Sequence, residues 1–189
     1  MYRISAYHFY YKNVLIFGVF ILLSRYPLVA QSTSTIDTAI ELYEKENNKK
    51  KGYPVVKYIL DKTLVDDMAI RTLDKQRSLL REIDIHENES LVFPTEPKMV
   101  TSKLKTVLLS ETIQNLYSLG YDGFWKEFTA KYGKSGYLQV SEPIFSKDRN
   151  AFIIILESHY YKMGGVGSAV LYKKIDGQWS LVDEHLLYY

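Results

Sequence analysis

The chain has 189 residues, no cysteine, 24 basic and 22 acidic side chains, and a formal net charge of +2 at pH 7. The lack of cysteine excludes disulfide bonds and a thioether-linked lipid, so a hydrophobic core must stabilise the fold. Because the two signs of charge nearly balance, the composition does not favour nucleic acid as a partner.

The first thirty residues have the layout of a secretory signal peptide. Two basic residues precede an apolar run from Val14 to Leu23, and a short segment ending at Ala30 offers a cleavage site. A membrane-spanning helix needs about 20 apolar residues, and Arg25 interrupts this run well before that length. We therefore predict cleavage of residues 1–30, export to the periplasm or the medium, and a single domain over residues 31–189 without a stable membrane span.

Apolar spacing predicts two helices and a short strand in the first part of this domain. Ile36, Ile40 and Tyr43 recur at the spacing of one helix face, and this helix can end at three lysines followed by Gly52. We interpret the lysines as a solvated helix end rather than as a binding patch. The next elements are a strand over Tyr53–Leu60 and an amphipathic helix over Leu64–Ile83, with a break at Asp74 as the alternative.

A polar loop and two further helices are predicted between residues 86 and 133. Residues 86–98 contain two prolines and no apolar periodicity, which is typical of a loop. Gly120 can end the first of these helices, and Asp122 and Gly133 can begin and end the second. The apolar stripe of the first helix consists of Leu104, Val107, Leu108, Leu116 and Leu119.

An aromatic face runs along the second of these helices. Its members are Phe124, Trp125, Phe128 and Tyr132. Aromatic side chains at helical spacing beside a sheet more often form core than a platform for sugars or peptides. We therefore predict that they are buried.

The last fifty-odd residues predict an antiparallel β-meander around which the chain is organised. Asp176-Gly177 lies between two alternating runs and indicates a type I′ hairpin. Ala151–Leu156 is apolar on both faces, which is typical of a central strand. In the last run, Trp179, Leu181 and Leu187 are expected on one face, opposite Ser180 and Glu184. The four predicted strands are Gly136–Ser146, Asn150–Tyr161, Val166–Ile175 and Gln178–Tyr189.

The fold class that follows is α+β. N-terminal helices are expected to pack on a curved antiparallel C-terminal β-meander of about four strands.

Two carboxylate–histidine pairs could carry chemistry. Glu157 and His159 are two apart on one predicted strand, and Asp183 and His185 are two apart on another, so each pair projects from one face of the sheet. Were both pairs on the same face with one strand between them, they would lie about 10 Å apart, too far to share one metal ion. Either histidine suits general acid or base catalysis. The alternative is that all four are polar tips where strands leave the core.

No cofactor or metal is expected from the remaining motifs. Met163-Gly164-Gly165-Val166-Gly167-Ser168 resembles a phosphate-cradling loop, but a strand follows it where such loops require a helix, so we predict a turn and a bulge. His86, beside Glu87 and Glu89, has no partner at the spacing of metal ligands.

Motifs in the last third of the chain resemble a known group of proteins. They are Phe124-Trp125-x-x-Phe128, Lys131-Tyr132-Gly133-x-x-Gly136-Tyr137-Leu138-x-Val140-Ser141-x-Pro143-Ile144-Phe145-Ser146, Gly164-x-x-Gly167 and Tyr172-Lys173-Lys174-x-x-Gly177-x-Trp179. Together, residues 124–189 resemble the C-terminal region of small uncharacterised exported proteins of Bacteroidota-type Gram-negative bacteria. This resemblance implies export and an α+β fold, and it implies no activity. The order of helices and sheet is also similar to the cone-shaped NTF2-like folds.

Three functions are compatible with these features. The first is a non-enzymatic exported module that binds a small ligand or a protein partner, and it follows from the lack of a nucleophile–base pair or a cofactor loop. The second is a hydrolase or lyase that uses Glu157, His159, Asp183 and His185 in one pocket. The third is an inhibitor or immunity protein, which would present a flat aromatic or charged patch.

Overall fold

The computed structural model describes residues 35–47, 56–65, 72–86, 96–160 and 164–187. These residues form a mixed sheet of seven strands with helices packed on it. The predicted α+β class is therefore confirmed in outline, but the sheet has more than four strands and is not wholly antiparallel. The predicted signal peptide lies outside the described residues, and none of the helices within them is long and apolar enough to cross a membrane.

The elements follow one another with helices mainly before residue 133 and strands mainly after it. The strands are β1 (Val56–Leu60), β2 (Thr106–Leu108), β3 (Gly136–Val140), β4 (Ile144–Phe145), β5 (Ala151–Tyr160), β6 (Gly164–Ile175) and β7 (Gln178–Leu187). The helical segments are α1 (35–47), α2 (72–75), α3 (Arg77–Arg81), α4 (Ser110–Tyr117) and α5 (Gly120–Tyr132).

The predicted meander is confirmed as the antiparallel part of the sheet. The strand order is β2-β1-β3-β5-β6-β7, and β3, β5, β6 and β7 pair antiparallel in succession. Asp176 and Gly177 both have positive φ, 51° and 79°, as the predicted hairpin between β6 and β7 requires. β5 is buried along nearly its whole length, which agrees with its prediction as a central strand.

Two strands extend this meander through parallel pairing. β1 lies parallel to β3 on one side and to β2 on the other. β2 falls within the segment predicted as a helix over Leu104–Leu119, and that part of the prediction is wrong. Val107 and Leu108 pair with Ile59 and Leu60, so strand pairing outweighs the apolar stripe that favoured a helix.

The first predicted strand, Gly136–Ser146, is divided into β3 and β4. Pro143 has no N–H to donate to a neighbouring strand, and the chain leaves the ladder before it. Ser141 bridges the gap, because its N–H donates to the carbonyl of Ile155 and its Oγ accepts the N–H of Ile155, both at 2.9 Å. Both short strands pair with β5.

The predicted helix Leu64–Ile83 is shorter and interrupted. Leu64 is not helical, and its N–H instead donates to the carbonyl of Val140 at 2.6 Å. Gln76, with φ −84° and ψ 59°, separates α2 from α3, two residues after the break considered at Asp74. The apolar stripe is nevertheless correct at Leu80, which is fully buried.

The boundary between α4 and α5 also differs from the prediction. Gly120, with φ 71°, begins α5 rather than ending α4 with a cap. Leu119 is the N-cap of α5, and Asp122 lies in its first turn. Gly133, with φ 78°, ends this helix as predicted.

Helices cover the sheet on both faces. On the first face, α1 packs through Ile36 and Ile40 against β5 residues such as Ile154. On the second face, α2 and α3 cover Ile153 and neighbouring residues of β5, β6 and β7. A third core cluster joins α4 and α5 to β1 and β3 and contains Leu60, Leu108, Ile113, Phe124, Trp125, Phe128 and Tyr137. The predicted burial of the aromatic face of α5 is thus confirmed for Phe124, Trp125 and Phe128, whereas Tyr132 is only partly buried.

Candidate functional site

Four polar side chains on β3 and β5 lie together on the second face of the sheet. Tyr137 is directly opposite His159, and Gln139 is directly opposite Glu157. Because paired residues and residues two apart share a face, the four form a two-by-two arrangement, which we call the polar block. His159 and Glu157 are sequence-predicted candidates, whereas no sequence pattern singles out Tyr137 or Gln139 as a site residue.

The imidazole of His159 is held between two strands. On one side it stacks on the phenol ring of Tyr137, with 4.6 Å between centroids and 12° between planes. On the other side it faces Gly165 of β6, where a Cβ atom would lie only 3.2 Å from Nδ1. Gly165 therefore provides the space for the ring.

The glycine-rich segment plays a different part from the one predicted. Gly164 has φ 71°, which agrees with the predicted use of positive φ. Gly165 and Gly167, however, lie within β6, and β6 pairs with β5 without a register shift from Gly164 to Lys173. The bulge predicted in this segment is therefore not found in the described part of these strands.

Glu157 and His159 form a close pair, as their spacing predicts. The Glu157 side chain is 7% exposed, and its Oε2 lies 3.6 Å from Nε2 of His159. This separation is an ion-pair distance and is longer than a hydrogen bond. Among the described residues, Nε2 of His159 has no hydrogen-bond partner.

Asp183 and His185 form a second, separate pair on β7. Oδ2 of Asp183 lies 3.1 Å from Nε2 of His185. A register shift between β6 and β7 leaves Val182 as an extra residue, so that Asp183 pairs with Leu171 and His185 with Ala169. This bulge turns both polar residues onto the second face.

The same bulge corrects the predicted alternation of the last strand. Trp179 and Leu181 lie on the first face, whereas Leu187 lies on the second, packed in the cluster under α2 and α3. The expectation that Leu187 shares a face with Trp179 is therefore wrong, because Val182 reverses the alternation beyond it.

The two carboxylate–histidine pairs share a face but do not meet. β6 lies between their strands, which places them about 10 Å apart across the sheet. Glu157 pairs with Gly167 of β6, and Gly167 pairs in turn with Leu187 of β7. The β7 residue in line with Glu157 is therefore a buried apolar side chain and not Asp183 or His185. The structure brings together Glu157 and His159 on the central strand β5, and it leaves Asp183 and His185 on the edge strand β7.

The hydroxyl groups of Tyr137 and Tyr117 form a short hydrogen bond that links the polar block to α4. Tyr137 is 1% exposed and Tyr117 is 51% exposed. Burial raises the pKa of Tyr137 far above its ordinary value, and the hydrogen bond with Tyr117 and the charges of Tyr117 and Glu157 raise it further. The Tyr137 hydroxyl is therefore protonated at neutral pH.

An open cleft of about 280 Å³ lies between α4 and the sheet. Leu60 of β1 and Tyr137 and Gln139 of β3 lie on the sheet side. α4 contributes one face at helical spacing, namely Ser110, Ile113, Gln114 and Tyr117. The remaining side is formed by Lys62, Thr63, Val65 and Pro97.

Asp61 fixes the position of α4 beside this cleft. Its Oδ1 accepts the backbone N–H of Ser110 at 2.7 Å and the Ser110 hydroxyl at 2.5 Å. The carboxylate is buried and stabilises the partial positive charge at the helix N-terminus. α4 therefore begins directly after β2, with Ser110, Ile113, Gln114 and Tyr117 on the side toward the cleft.

Sequence reasoning missed the residues that line the cleft. The only local signals are the helical spacing of Ser110, Gln114 and Tyr117 and the alternation of Tyr137 with Gln139. Neither pattern indicates that α4 and β3 face each other. His86, the other histidine considered, is exposed, and its neighbours Glu87 and Glu89 lie outside the described residues.

Comparison of the chain with protein-family models, with curated proteins and with solved structures finds no match. The resemblance to exported Bacteroidota-type proteins and to NTF2-like folds therefore stays a prediction. Within the part of the chain that the structure describes, no group of three or more histidine, aspartate or glutamate side chains is placed to hold a metal ion.

Proposed function

We propose that the protein is an exported, non-enzymatic module that binds a small ligand in the cleft between α4 and the sheet. The observation that carries this proposal is the lining of the cleft, in which hydrogen-bonding side chains such as Gln114, Gln139 and Tyr137 surround apolar contacts from Leu60 and Ile113. A concave, partly apolar surface with a few convergent polar groups is the usual form of a small-molecule site. The volume of about 280 Å³ is at the lower end for such sites and favours a small ligand.

The chemistry of the lining favours binding over catalysis. Among the described residues, the cleft is lined by no carboxylate and no imidazole. The high pKa of Tyr137, caused mainly by burial, keeps its hydroxyl neutral, so it donates or accepts hydrogen bonds without being a base. The groups in the cleft can therefore hold and orient a ligand, and they offer no evident nucleophile–base pair.

A fragment screen tests the binding proposal. The side-chain amide signals of Gln114 and Gln139 in ¹H–¹⁵N spectra report directly on the cleft, and those of Gln178, which is exposed at the start of β7, serve as the control. We expect fragments to shift the first two signals and to leave Gln178 unchanged. A screen in which fragments shift signals elsewhere but never those of the cleft would contradict the proposal.

Export is the second part of the proposal and has its own test. After expression of the full-length chain in a Gram-negative host, we expect a periplasmic product whose mass corresponds to loss of residues 1–30. Leu22→Arg interrupts the apolar run and should leave an unprocessed cytoplasmic product, whereas Leu22→Val preserves the run and should be processed normally. Equal processing of both variants would contradict a signal peptide.

A hydrolase or lyase is the second candidate, and the Glu157–His159 pair favours it. Their 3.6 Å separation lets the carboxylate orient the imidazole, and the neutral phenol of Tyr137 stacks beside it. Asp183 and His185 lie two strands away from Glu157 and His159. An enzyme of this kind would therefore use only the residues of the polar block. Turnover of p-nitrophenyl acetate that is lost in His159→Gln and kept in His185→Gln would favour the enzyme, and no turnover, or equal turnover in both variants, would remove it.

A further inference from the structure

We propose that the cleft takes an uncharged, hydroxyl-rich ligand about the size of one sugar ring. This inference depends on the proposed binding function and adds the chemical class of the ligand. It is carried by the side-chain amides of Gln114 and Gln139 together with the hydroxyl pair of Tyr117 and Tyr137, all of which line the cleft.

An anionic ligand has no suitable partner in the cleft. The N-terminus of α4 would attract an anion, but the carboxylate of Asp61 already accepts the N–H and the hydroxyl of Ser110 there. Lys62 is the one cationic side chain among the described lining residues, and it is exposed, so water screens its charge.

A cationic ligand is disfavoured by the same lining. No carboxylate is among the described residues that line the cleft, and Asp61 directs its Oδ1 to Ser110. A cation that entered would lose part of its hydration without gaining an opposite charge. The polar groups that remain are neutral amides and hydroxyls.

The amides of Gln114 and Gln139 are matched to hydroxyl groups. Each amide offers donors and an acceptor, and each sugar hydroxyl also donates and accepts through a single atom. Within the described part of the chain, neither side-chain amide forms a hydrogen bond. Both therefore remain available to a ligand.

The tyrosine pair supplies a further donor to the cleft. Two phenols joined by one hydrogen bond use one of their two protons in it, so one proton remains. Tyr137 is buried and has no other hydrogen-bond partner among the described residues, so it gains most by donating its own proton to Tyr117. Tyr117, which is half exposed, then donates outward to the ligand or to water.

The ring of Tyr117 also suits the apolar face of a sugar ring. One of its faces stacks on Phe124, with 4.6 Å between centroids and 20° between planes, which holds the ring in place. With about half of its surface exposed, Tyr117 retains aromatic area beside the cleft for C–H groups. Ile113 and Leu60 add apolar surface to the same cavity.

Titration of the purified protein with defined probes tests this inference. The hydroxyl-rich probes are glucose, galactose and mannose; the comparison probes are cyclohexanol, which has a ring of the same size with one hydroxyl, sodium acetate, sodium phosphate and tetramethylammonium chloride. We expect at least one sugar to shift the side-chain amide signals of Gln114 and Gln139 with a dissociation constant on the order of 1 mM. Gln139→Ala should weaken this binding about three- to tenfold, and Gln178→Ala should not change it.

The outcomes separate this inference from the proposed function. Binding of acetate, phosphate or tetramethylammonium in the cleft in place of sugars would overturn the ligand class and keep a binding site. Cyclohexanol binding as tightly as the sugars would show that the hydroxyl groups contribute nothing, and would overturn it as well. If no sugar shifts the cleft signals, the inference is wrong, and failure of the wider fragment screen would then remove the binding function too.

Discussion

The imidazole ring of His159 lies on the phenol ring of Tyr137, 4.6 Å away and nearly parallel to it. The hydroxyl group of Tyr137 also forms a hydrogen bond with the hydroxyl group of Tyr117 at the cleft. One buried phenol therefore contacts both the ligand cleft and the Glu157–His159 pair. A ligand that accepts a hydrogen bond from the Tyr117 hydroxyl is expected to change the environment of His159 through Tyr137, although His159 does not line the cleft.

The tyrosine pair predicts an inverted order of mutational effects. Tyr117→Phe changes the more exposed residue, yet it leaves the buried hydroxyl of Tyr137 without its partner and should lower the free energy of unfolding by about 2 kcal/mol. Tyr137→Phe removes the buried hydroxyl itself and leaves the Tyr117 hydroxyl to water, so it should cost about 1 kcal/mol or less. Urea denaturation of the two variants measures both values.

The double variant completes this test. Tyr117→Phe combined with Tyr137→Phe removes both hydroxyls and should be more stable than Tyr117→Phe alone by about 1 kcal/mol. Tyr121→Phe, which changes another exposed tyrosine, controls for loss of a surface hydroxyl and should have little effect. A larger cost for Tyr137→Phe than for Tyr117→Phe would contradict the assigned roles.

Gly136 lies where β3 passes close to the backbone of β5. A Cβ atom there would lie 2.2 Å from the backbone oxygen of His159, and backbone cannot move aside as a side chain can. Gly136→Ala should therefore lower the free energy of unfolding by about 3 kcal/mol. In the comparison variant Gly123→Ala, the new atom would lie 2.9 Å from the Cβ of Leu119, so the start of α5 must shift. The higher helix propensity of alanine offsets about 1 kcal/mol of that cost, and the loss should be smaller than in Gly136→Ala. Similar stability of the two variants in urea would show that β3 and β5 can separate.

Local signals explain which parts of the fold could be predicted. The hairpin at Asp176-Gly177 depends on two adjacent residues that tolerate positive φ, and both adopt it. Burial of Phe124 and Phe128 follows from their spacing on one helix. The pairing of Glu157 with His159 follows from the two-residue period of a strand.

Non-local pairing explains what could not be predicted. β1, β2 and β3 come from three distant parts of the chain. Parallel strands are not joined by hairpin turns, so no turn sequence indicates that they pair. Val107 and Leu108 fit both a helical stripe and a strand, and only their contact with β1 decides between the two. The cleft is also formed by non-local contacts, because α4 and β3 are separated in the chain by α5 and line the same cleft. Neither the helical spacing in α4 nor the alternation in β3 indicates a site by itself.

The bulge at Val182 shows how one residue redirects a candidate site. Without it, the alternation that places Trp179 and Leu181 on the first face would place Asp183 and His185 there too, away from Glu157. The extra residue moves both onto the second face, and the intervening strand still separates them from the polar block. No turn residue or periodicity in the sequence indicates this bulge.

Tyr172 gives the protein a predictable sensitivity to alkaline pH. Burial, followed by the charges of Tyr43 and Glu184, raises its pKa above the ordinary value of 10.0. Its stabilising effect is complete below pH 10 and declines at higher pH, because the unfolded chain then ionises and the folded chain does not. We expect Tyr172→Phe to reduce the loss of unfolding free energy above pH 10 by about 1.4 kcal/mol per pH unit, measured by urea denaturation at a series of pH values.

The same series contains its own control. Below pH 9, Tyr172→Phe should run parallel to the parent protein at a constant cost of about 1 kcal/mol, because it loses the 2.8 Å hydrogen bond to the carbonyl of Ala39 in α1. Identical slopes above pH 10 would mean that Tyr172 ionises in the folded protein. That result would contradict the burial of Tyr172 between the sheet and α1.

Asp148 in the turn between β4 and β5 predicts a change at acid pH. The Ser146 hydroxyl donates to its carboxylate at 2.6 Å, and the backbone and side-chain N–H groups of Asn150 donate at 3.0 Å and 2.9 Å; these bonds lower its pKa from 3.8 to about 2. Because the folded-state value is the lower one, the stabilising effect is present above pH 3.8 and is lost as the pH falls toward 2.

We expect the ¹³C carboxyl signal of Asp148 to titrate near pH 2, and Ser146→Ala to raise that midpoint toward 3.8. Ser141→Ala is the matched control, since Ser141 and Ser146 each accept an N–H from β5 but only Ser146 contacts Asp148. A midpoint near 3.8 in the parent protein, or an equal rise in both variants, would contradict the role of Ser146.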